Sequence, residues 1–443
     1  MTTPSVVAST PGSVTRGETL ASWLLRRLLL GALWLLFFNA VLDRILVHYA
    51  GVAIFTSAYY ACIAGALGIR LLLLVRRGAD HPIAISALAF LAFVTVIGAA
   101  YGNVAASVFG VDQFFVGVVF LVLFAGQRIP TGHLVAALVL VQLYALIQGV
   151  WFLSAFSLPP WDLVYVRDQI ETWSARNLYQ GDLIRPFATF ASFSEYQIVV
   201  HMFSVTLFLI RDRLAQWSRV GAWLLLISVV AMDVLIPERT PVMMGGILVS
   251  TCVLGVTLIH KARVDAARLF VGAALLALLA STFWVVPAAL GDSDIPAVQR
   301  FSESFRFWEA ATVRERAAIP WRQSLELIGV SPEGVGPAMV ATSYDANALT
   351  PHNNFFLFAI AYSLLFPIAY FVWLGYTFRS LFGAMGAAEE SRARLGFCAL
   401  GLTLAYVASS IFNATLSSYM GVAFLLSMLW LHGEATSDRA MVA

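Results

Sequence analysis

The sequence predicts an all-α, polytopic helical membrane protein of about twelve transmembrane helices, with a long outward-facing loop that forms short amphipathic helices. Three observations predict it. Hydrophobic residues are 60% of the 443 and charged residues 12%, with a mean hydropathy of +0.83, so most of the chain cannot be the interior of a water-soluble domain. Apolar runs of roughly 17 to 25 residues, the length that crosses a hydrocarbon core, recur along the chain. Arginines collect in alternate connections between these runs, as the cytoplasmic loops of a multi-pass protein do.

The runs lie at about 28–47, 52–75, 83–101, 109–126, 134–156, 195–210, 220–236, 241–259, 268–289, 354–376, 395–412 and 418–432. Arg26 and Arg27, Arg76 and Arg77, Arg128, the group Arg211, Arg213 and Arg219, the group Lys261, Arg263 and Arg268, and the group Arg379, Arg392 and Arg394 mark the cytoplasmic side. Both termini then lie on that side. Residues 1–20 are polar and rich in Ser and Thr, without an apolar core and cleavage signal, and read as a disordered cytoplasmic tail. Two long connections face outward, at 157–194 and 290–353. No internal repeat or separate soluble domain stands out, so residues 1–443 form a single membrane domain whose outward loops act as a cap.

The first long loop carries Trp161, Asp162, Arg167, Asp168, Glu171 and Trp173, which reads as a short amphipathic helix on the membrane surface. In the second, Val313, Trp321, Leu325 and Ile328 alternate with Arg314, Glu315, Arg316 and Arg322 as in a partly apolar helix over 311–328. Outward arginines break the positive-inside trend. Long translocated segments tolerate them as solvated faces, and the alternative is that Arg314 and Arg316 meet an anionic ligand. Gly334-Val335-Gly336-Pro337 ends the helical pattern as a turn.

Composition also limits the chemistry. Cys62, Cys252 and Cys398 all fall in apolar runs, so neither a disulfide framework nor a cysteine metal site is implied. Lys261 is the only lysine, a bias toward arginine that suits phosphate binding and that a GC-rich genome also produces. No nucleophilic serine motif or nucleotide-binding glycine loop is present, which argues against an ATP-driven pump, and nothing points to nucleic acid. Asp292-Ser293-Asp294 has the spacing of a metal-binding pair, but so short a match is common by chance, and no metal is expected.

Three polar clusters occupy outer ends of membrane runs: Arg185-Pro186-Phe187-Ala188-Thr189-Phe190, the turn Pro237-Glu238-Arg239-Thr240-Pro241, and Pro351-His352-Asn353-Asn354. Threading the chain puts Arg185, Arg239 and His352 at one level of one face. Arg185 and Arg239 are either snorkelling anchors or functional cations. His352 is either an interface residue or a general base, and a position at a helix N-terminus would keep its ring neutral. Asn353 and Asn354 either cap that helix or orient the ring or a substrate hydroxyl. Glu238, Arg314, Arg316 and Trp321 complete the candidates for substrate binding.

In these passages the chain resembles the O-antigen ligase and polymerase superfamily of bacterial polysaccharide assembly. The likeness lies in Arg185-Pro-Phe-Ala-Thr-Phe, in Glu238-Arg239-Thr240, and in Ile328-Gly-Val-Ser-Pro-Glu-Gly-Val-Gly-Pro followed by Pro351-His352-Asn353-Asn354. Ser194-Glu195 and Ser363-Leu364-Leu365-Phe366-Pro367 depart from the usual pattern. The resemblance implies a GT-C-like, inverting glycosyltransferase in the bacterial inner membrane, with its active site facing the periplasm and no cofactor, nucleotide sugar or metal. Its donor would be a glycan on undecaprenyl diphosphate, with the lipid tail between helices, and its acceptor a lipid A core sugar or a lipid-linked glycan. Arg185 and Arg239 would bind the diphosphate, and His352 would be the base.

Overall fold

The structure is a computed structural model that describes residues 16–77, 81–101, 115–127, 131–155, 157–162, 179–180, 183–184, 186–190, 193–235, 239–260, 321–336, 353–412 and 418–442. In chain order the helices are α1 (Arg16–Ala50), α2 (Phe55–Arg77), α3 (Pro82–Ala100), α4 (Val116–Phe124), α5 (Thr131–Ala155), α6 (Phe193–Leu209), α7 (Gln216–Leu235) and α8 (Arg239–Leu254). They continue with α9 (Arg322–Val330), α10 (Asn354–Ala361), α11 (Phe366–Thr377), α12 (Glu390–Phe412) and α13 (Ser418–Val442). Two short strands, β1 (Tyr179–Gln180) and β2 (Leu183–Ile184), pair antiparallel between α5 and α6. Among the described residues, six helices are long and apolar enough to cross a membrane, or seven if α10 and α11 count as one broken span. The chain is thus a helical, membrane-embedded protein. The run at 268–289 lies outside the described residues. Helix α1 begins at Arg16, so the tail read over 1–20 ends earlier, and the run at 109–126 is helical from Val116.

The first hairpin shows how local chemistry builds the bundle. Gly51 turns the chain with a φ of 71°, a left-handed value that glycine adopts without steric cost. Asp43, near the end of α1, then accepts hydrogen bonds from the backbone N–H groups of Ile54 (2.8 Å), Phe55 (2.7 Å) and Thr56 (2.8 Å). These are donors that a helix start leaves without partners, so a carboxylate on one helix caps the next.

Helix α4 is buried along its whole length, as a segment apolar on all sides must be. It touches α13 where a Cβ on Gly117 would come within 2.7 Å of the Gly421 backbone, so the two helices cross at glycines. Its C-terminus is closed by Arg70 of α2, which donates to the carbonyls of Val122 and Ala125. A cation against the carbonyl end of a helix is favoured by the helix dipole.

Side-chain contacts join helices far apart in the chain. Trp34 of α1 meets His133 at the start of α5, Ser86 of α3 meets Thr377 at the end of α11, and Arg394 of α12 pairs with Asp212 after α6. Arg44 of α1 pairs with Asp162 after α5, and Tyr101 after α3 bonds to the carbonyl of Tyr362.

One long run does not form a single helix. Helices α10 and α11 meet at a bend of 112°. The cause is Pro367 in the first turn of α11: it has no N–H to continue a hydrogen-bond ladder, and it disfavours helical geometry in the residue before it. Backbone groups freed by a break in an apolar run need partners within the protein. The turn after α9 supplies the bonds: Val335 N–H donates to the Ile360 carbonyl (2.7 Å), and Leu364 N–H donates to the Pro332 carbonyl (2.9 Å). Tyr101 adds its hydroxyl to the carbonyls of Glu333 and Tyr362.

Gly334-Val335-Gly336 is therefore a clasp on the break. Gly334 has a φ of 95°, and a Cβ there would lie 2.8 Å from the Tyr362 backbone. Gly334→Ala is expected to destabilise by about 2 kcal/mol or more, from strained φ plus overlap. Thermal unfolding in detergent measures it, and an unchanged melting temperature would remove the clasp. Phe90, Phe115, Phe358, Tyr362 and Phe366 pack ring against ring behind the bend, with centroids 4.6 to 6.1 Å apart for the pairs that meet.

Candidate functional site

Helix α10 starts where the third polar cluster ends. Asn353 holds extended backbone and its side-chain oxygen accepts from Phe355 N–H (2.9 Å) and Phe356 N–H (3.2 Å), which makes it the N-cap. Asn354 is the first helical residue. The sequence places this cluster where a helix enters lipid, and here the structure differs. Asn353 is 5% exposed, and Leu357 through Tyr362 are buried in succession, so the helix begins inside the protein. Trp321, just before α9, sets its ring edge-on to Phe356 with centroids 6.1 Å apart. Trp321 and Asn353 thus meet around Phe356, two candidates brought together.

Helix α9 shows a different buried stripe from the predicted one. Ser324 and Ile328 face inward, one turn apart, while Leu325 is 55% exposed. The expected grouping of Leu325 with Ile328 misses by one residue, because the helix is packed on α10 through its Ser324 side.

Arg239 is the first residue of α8, with Thr240 and Pro241 in the first turn, where a proline costs nothing. A cation at the positive end of a helix dipole is disfavoured by a few tenths of a kcal/mol. Helix α8 packs along α12, and α10 packs on α12 as well, so the elements that carry Arg239 and Asn353 share one backing helix. Arg185, Glu238, Arg314, Arg316 and His352 lie outside the described residues, as do Asp292 and Asp294. Among the described residues, no group of three His, Cys, Asp or Glu is placed to hold a metal ion.

The segment that follows Arg185 is held by side chains from several elements. Arg44 donates to the carbonyls of Ala188 and Phe190, both at 2.7 Å, and pairs through Nε with Asp162 at 2.9 Å. Its guanidinium also lies over the Phe187 ring, 4.7 Å from the centroid. Gln148 accepts from Ala188 N–H (2.8 Å) and donates to Asp162 (2.8 Å), and Tyr144 donates to the same carboxylate (2.9 Å). Trp161 in turn donates to Tyr144 (2.6 Å). Ala188 sits at a φ of 50°, a left-handed conformation that costs an alanine about 1–2 kcal/mol. Such strain persists only where surrounding bonds over-determine the backbone, and it concentrates at functional sites.

This cluster was not anticipated. Asp162, read as part of a surface helix, has a fully buried side chain. Burial holds its carboxyl above the usual carboxylate range, against the pull of Arg44 and of the bonds from Gln148 and Tyr144. The available signal was Arg44 itself, an arginine inside an apolar run and a functional candidate by that position. Arg70 gives the same signal and proves to be a helix cap.

No family model matches this chain, and no curated protein matches it either.

Asn353 provides a test that separates capping from binding. Asn353→Asp keeps the capping oxygen and loses the NH₂ donor, whereas Asn353→Ala loses both. The expected result is a loss of about 1 kcal/mol in stability for the alanine variant only. Thermal unfolding of both variants measures this, and equal destabilisation would contradict the cap.

Proposed function

We propose that the chain is an O-antigen ligase of the superfamily it resembles: a twelve-span, GT-C-like, inverting glycosyltransferase of the bacterial inner membrane. It moves a polysaccharide from undecaprenyl diphosphate to a lipid A core hydroxyl on the periplasmic face, without metal or cofactor. The observation that carries this reading is the broken helix. Its N-terminus follows His352, and its break is clasped by Gly334-Val335-Gly336, so two parts of one family-like motif, separated in the chain, support a single half-helix. Half-helix N-termini inside membrane proteins favour anionic groups.

The chemistry balances as follows. An acceptor hydroxyl attacks the anomeric carbon, and His352 takes its proton as the new C–O bond forms. The bond from the anomeric carbon to the diphosphate breaks, and undecaprenyl diphosphate leaves with the electron pair. Arg185 and Arg239 stabilise the charge that grows on it, as paired forks on phosphate oxygens. Asn353 offers its NH₂ group to a sugar hydroxyl, since its oxygen is engaged in the cap. Asn354, Glu238, Trp321, Arg314 and Arg316 are the further candidates for binding substrate.

A polymerase that uses a lipid-linked repeat unit as acceptor shares this donor and mechanism. Incubating purified protein with lipid-linked polysaccharide, with and without lipid A core and with EDTA, separates the two. Transfer that requires lipid A core and survives EDTA fits the ligase; chain extension without core fits the polymerase; inhibition by EDTA contradicts the metal-free mechanism.

The broken helix also favours a second reading, a transporter of lipid-linked saccharide, because discontinuous helices line many transport sites. Buried cations give that reading little support. Arg44 and Arg70 are both bonded to backbone carbonyls and so are committed to the fold.

A further inference from the structure

We infer that Arg44, with Asp162 and Gln148, is a positioning residue that fixes where Arg185 is presented, an inference that rests on the diphosphate role proposed for Arg185. The geometry is specific. Arg185 directly precedes Pro186, and Pro186 through Phe190 are all buried. The two guanidinium nitrogens of Arg44 hold the carbonyls of Ala188 and Phe190, while Gln148 holds Ala188 N–H, so the strained residue is gripped on both of its peptide groups. Asp162 orients the fork by pairing with its third nitrogen, and it is oriented in turn by Gln148 and Tyr144.

The anchors come from three places in the chain: Arg44 from the end of α1, Gln148 and Tyr144 from α5, and Asp162 from the loop beyond it. A loop needing only to cross between helices does not require an alanine at a φ of 50°. A loop that must present the next side chain at a fixed point does. Phe190, at the far end, locks against Phe37 of α1 and Tyr196 of α6, with centroids 6.2 and 6.4 Å away. The segment is therefore tied to the bundle at Ala188 and Phe190, and Arg185 precedes it in the sequence.

Two arms test this on the full-length protein. The first is a double-mutant cycle in the transfer reaction with Arg44→Gln, Arg185→Ala and the pair. Arg44→Gln is expected to lower kcat roughly 10- to 100-fold, through misplacement of a group that acts in the transition state, with a smaller change in KM. The pair is expected to be no slower than Arg185→Ala alone. Effects that multiply would overturn the inference. Arg44→Lys serves where the glutamine variant does not fold: it keeps a cation against Asp162 but cannot hold both carbonyls, and the same non-additivity is expected.

The second arm needs no transfer activity. Arg185→Cys is labelled with a water-soluble maleimide, with Arg44 intact and with Arg44→Lys, and labelling at position 185 is followed by peptide mass mapping. The rate is expected to change severalfold between the two backgrounds, and equal rates would overturn the positioning role. If wild-type protein transfers no glycan, the glycosyltransferase reading fails while this arm still decides the question for Arg44.

Discussion

His352→Ala is expected to yield protein that inserts and unfolds thermally like the wild type, yet transfers glycan at least about 100-fold more slowly. The size of the effect follows from the role. Removal of a positioned general base costs typically 10²–10⁴-fold, and an acceptor hydroxyl is too weak an acid to attack without one. The variant is expected to fold because the start of α10 has its own cap in Asn353, and its packing begins with Phe356 and Leu357. Initial rates of glycan transfer by purified variant and wild type, with melting temperatures for both, measure the effect. Near-normal transfer by His352→Ala would remove this residue from the mechanism.

Arg239→Lys carries the second large effect. Lysine keeps the charge, so a residue that merely anchors the helix end at the membrane interface should tolerate the change. A residue that grips two phosphate oxygens should not, because the ammonium cannot reproduce the planar fork. We expect turnover to fall by roughly 100-fold, the scale of losing one preorganised donor to a developing anion, with a smaller change in KM. The position of Arg239 supports this expectation: as the first residue of α8 it adds positive charge where the helix dipole is already positive. Unchanged donor affinity and rate would count against a diphosphate role.

Much of the fold was legible because membrane helices obey a simple length and hydropathy rule. Helices α2, α3, α5, α7 and α8 fall close to the runs read from the sequence. The bend between α10 and α11 was less legible. Pro367 announces it, but hydropathy is continuous across 354–376, and a proline in a long apolar run often gives only a kink. The phase of α9 was misjudged because Ser324, a polar residue, faces inward while Leu325 faces outward, beside the exposed Arg322–Glu326 ion pair.

The candidate site was legible in part. Asn353 sits at a helix N-terminus as its motif predicts, and Gly334 occupies the turn expected of it, though as a clasp on a broken helix. The Arg44 cluster was not legible. Its bonds run from a guanidinium to backbone carbonyls far along the chain, and no local pattern encodes a partner that is a peptide group. What sequence does provide is the anomaly of an arginine within an apolar run, and the structure supplies its partners.

The central claim is that this protein makes a new glycosidic bond. The most direct measurement is transfer of labelled glycan from undecaprenyl diphosphate to added lipid A core by protein purified in detergent, where no vesicle interior exists. The account predicts a covalently glycosylated lipid A core and released undecaprenyl diphosphate in equal amounts. Donor recovered intact, with no new covalent product from either acceptor, would contradict it and favour a transporter.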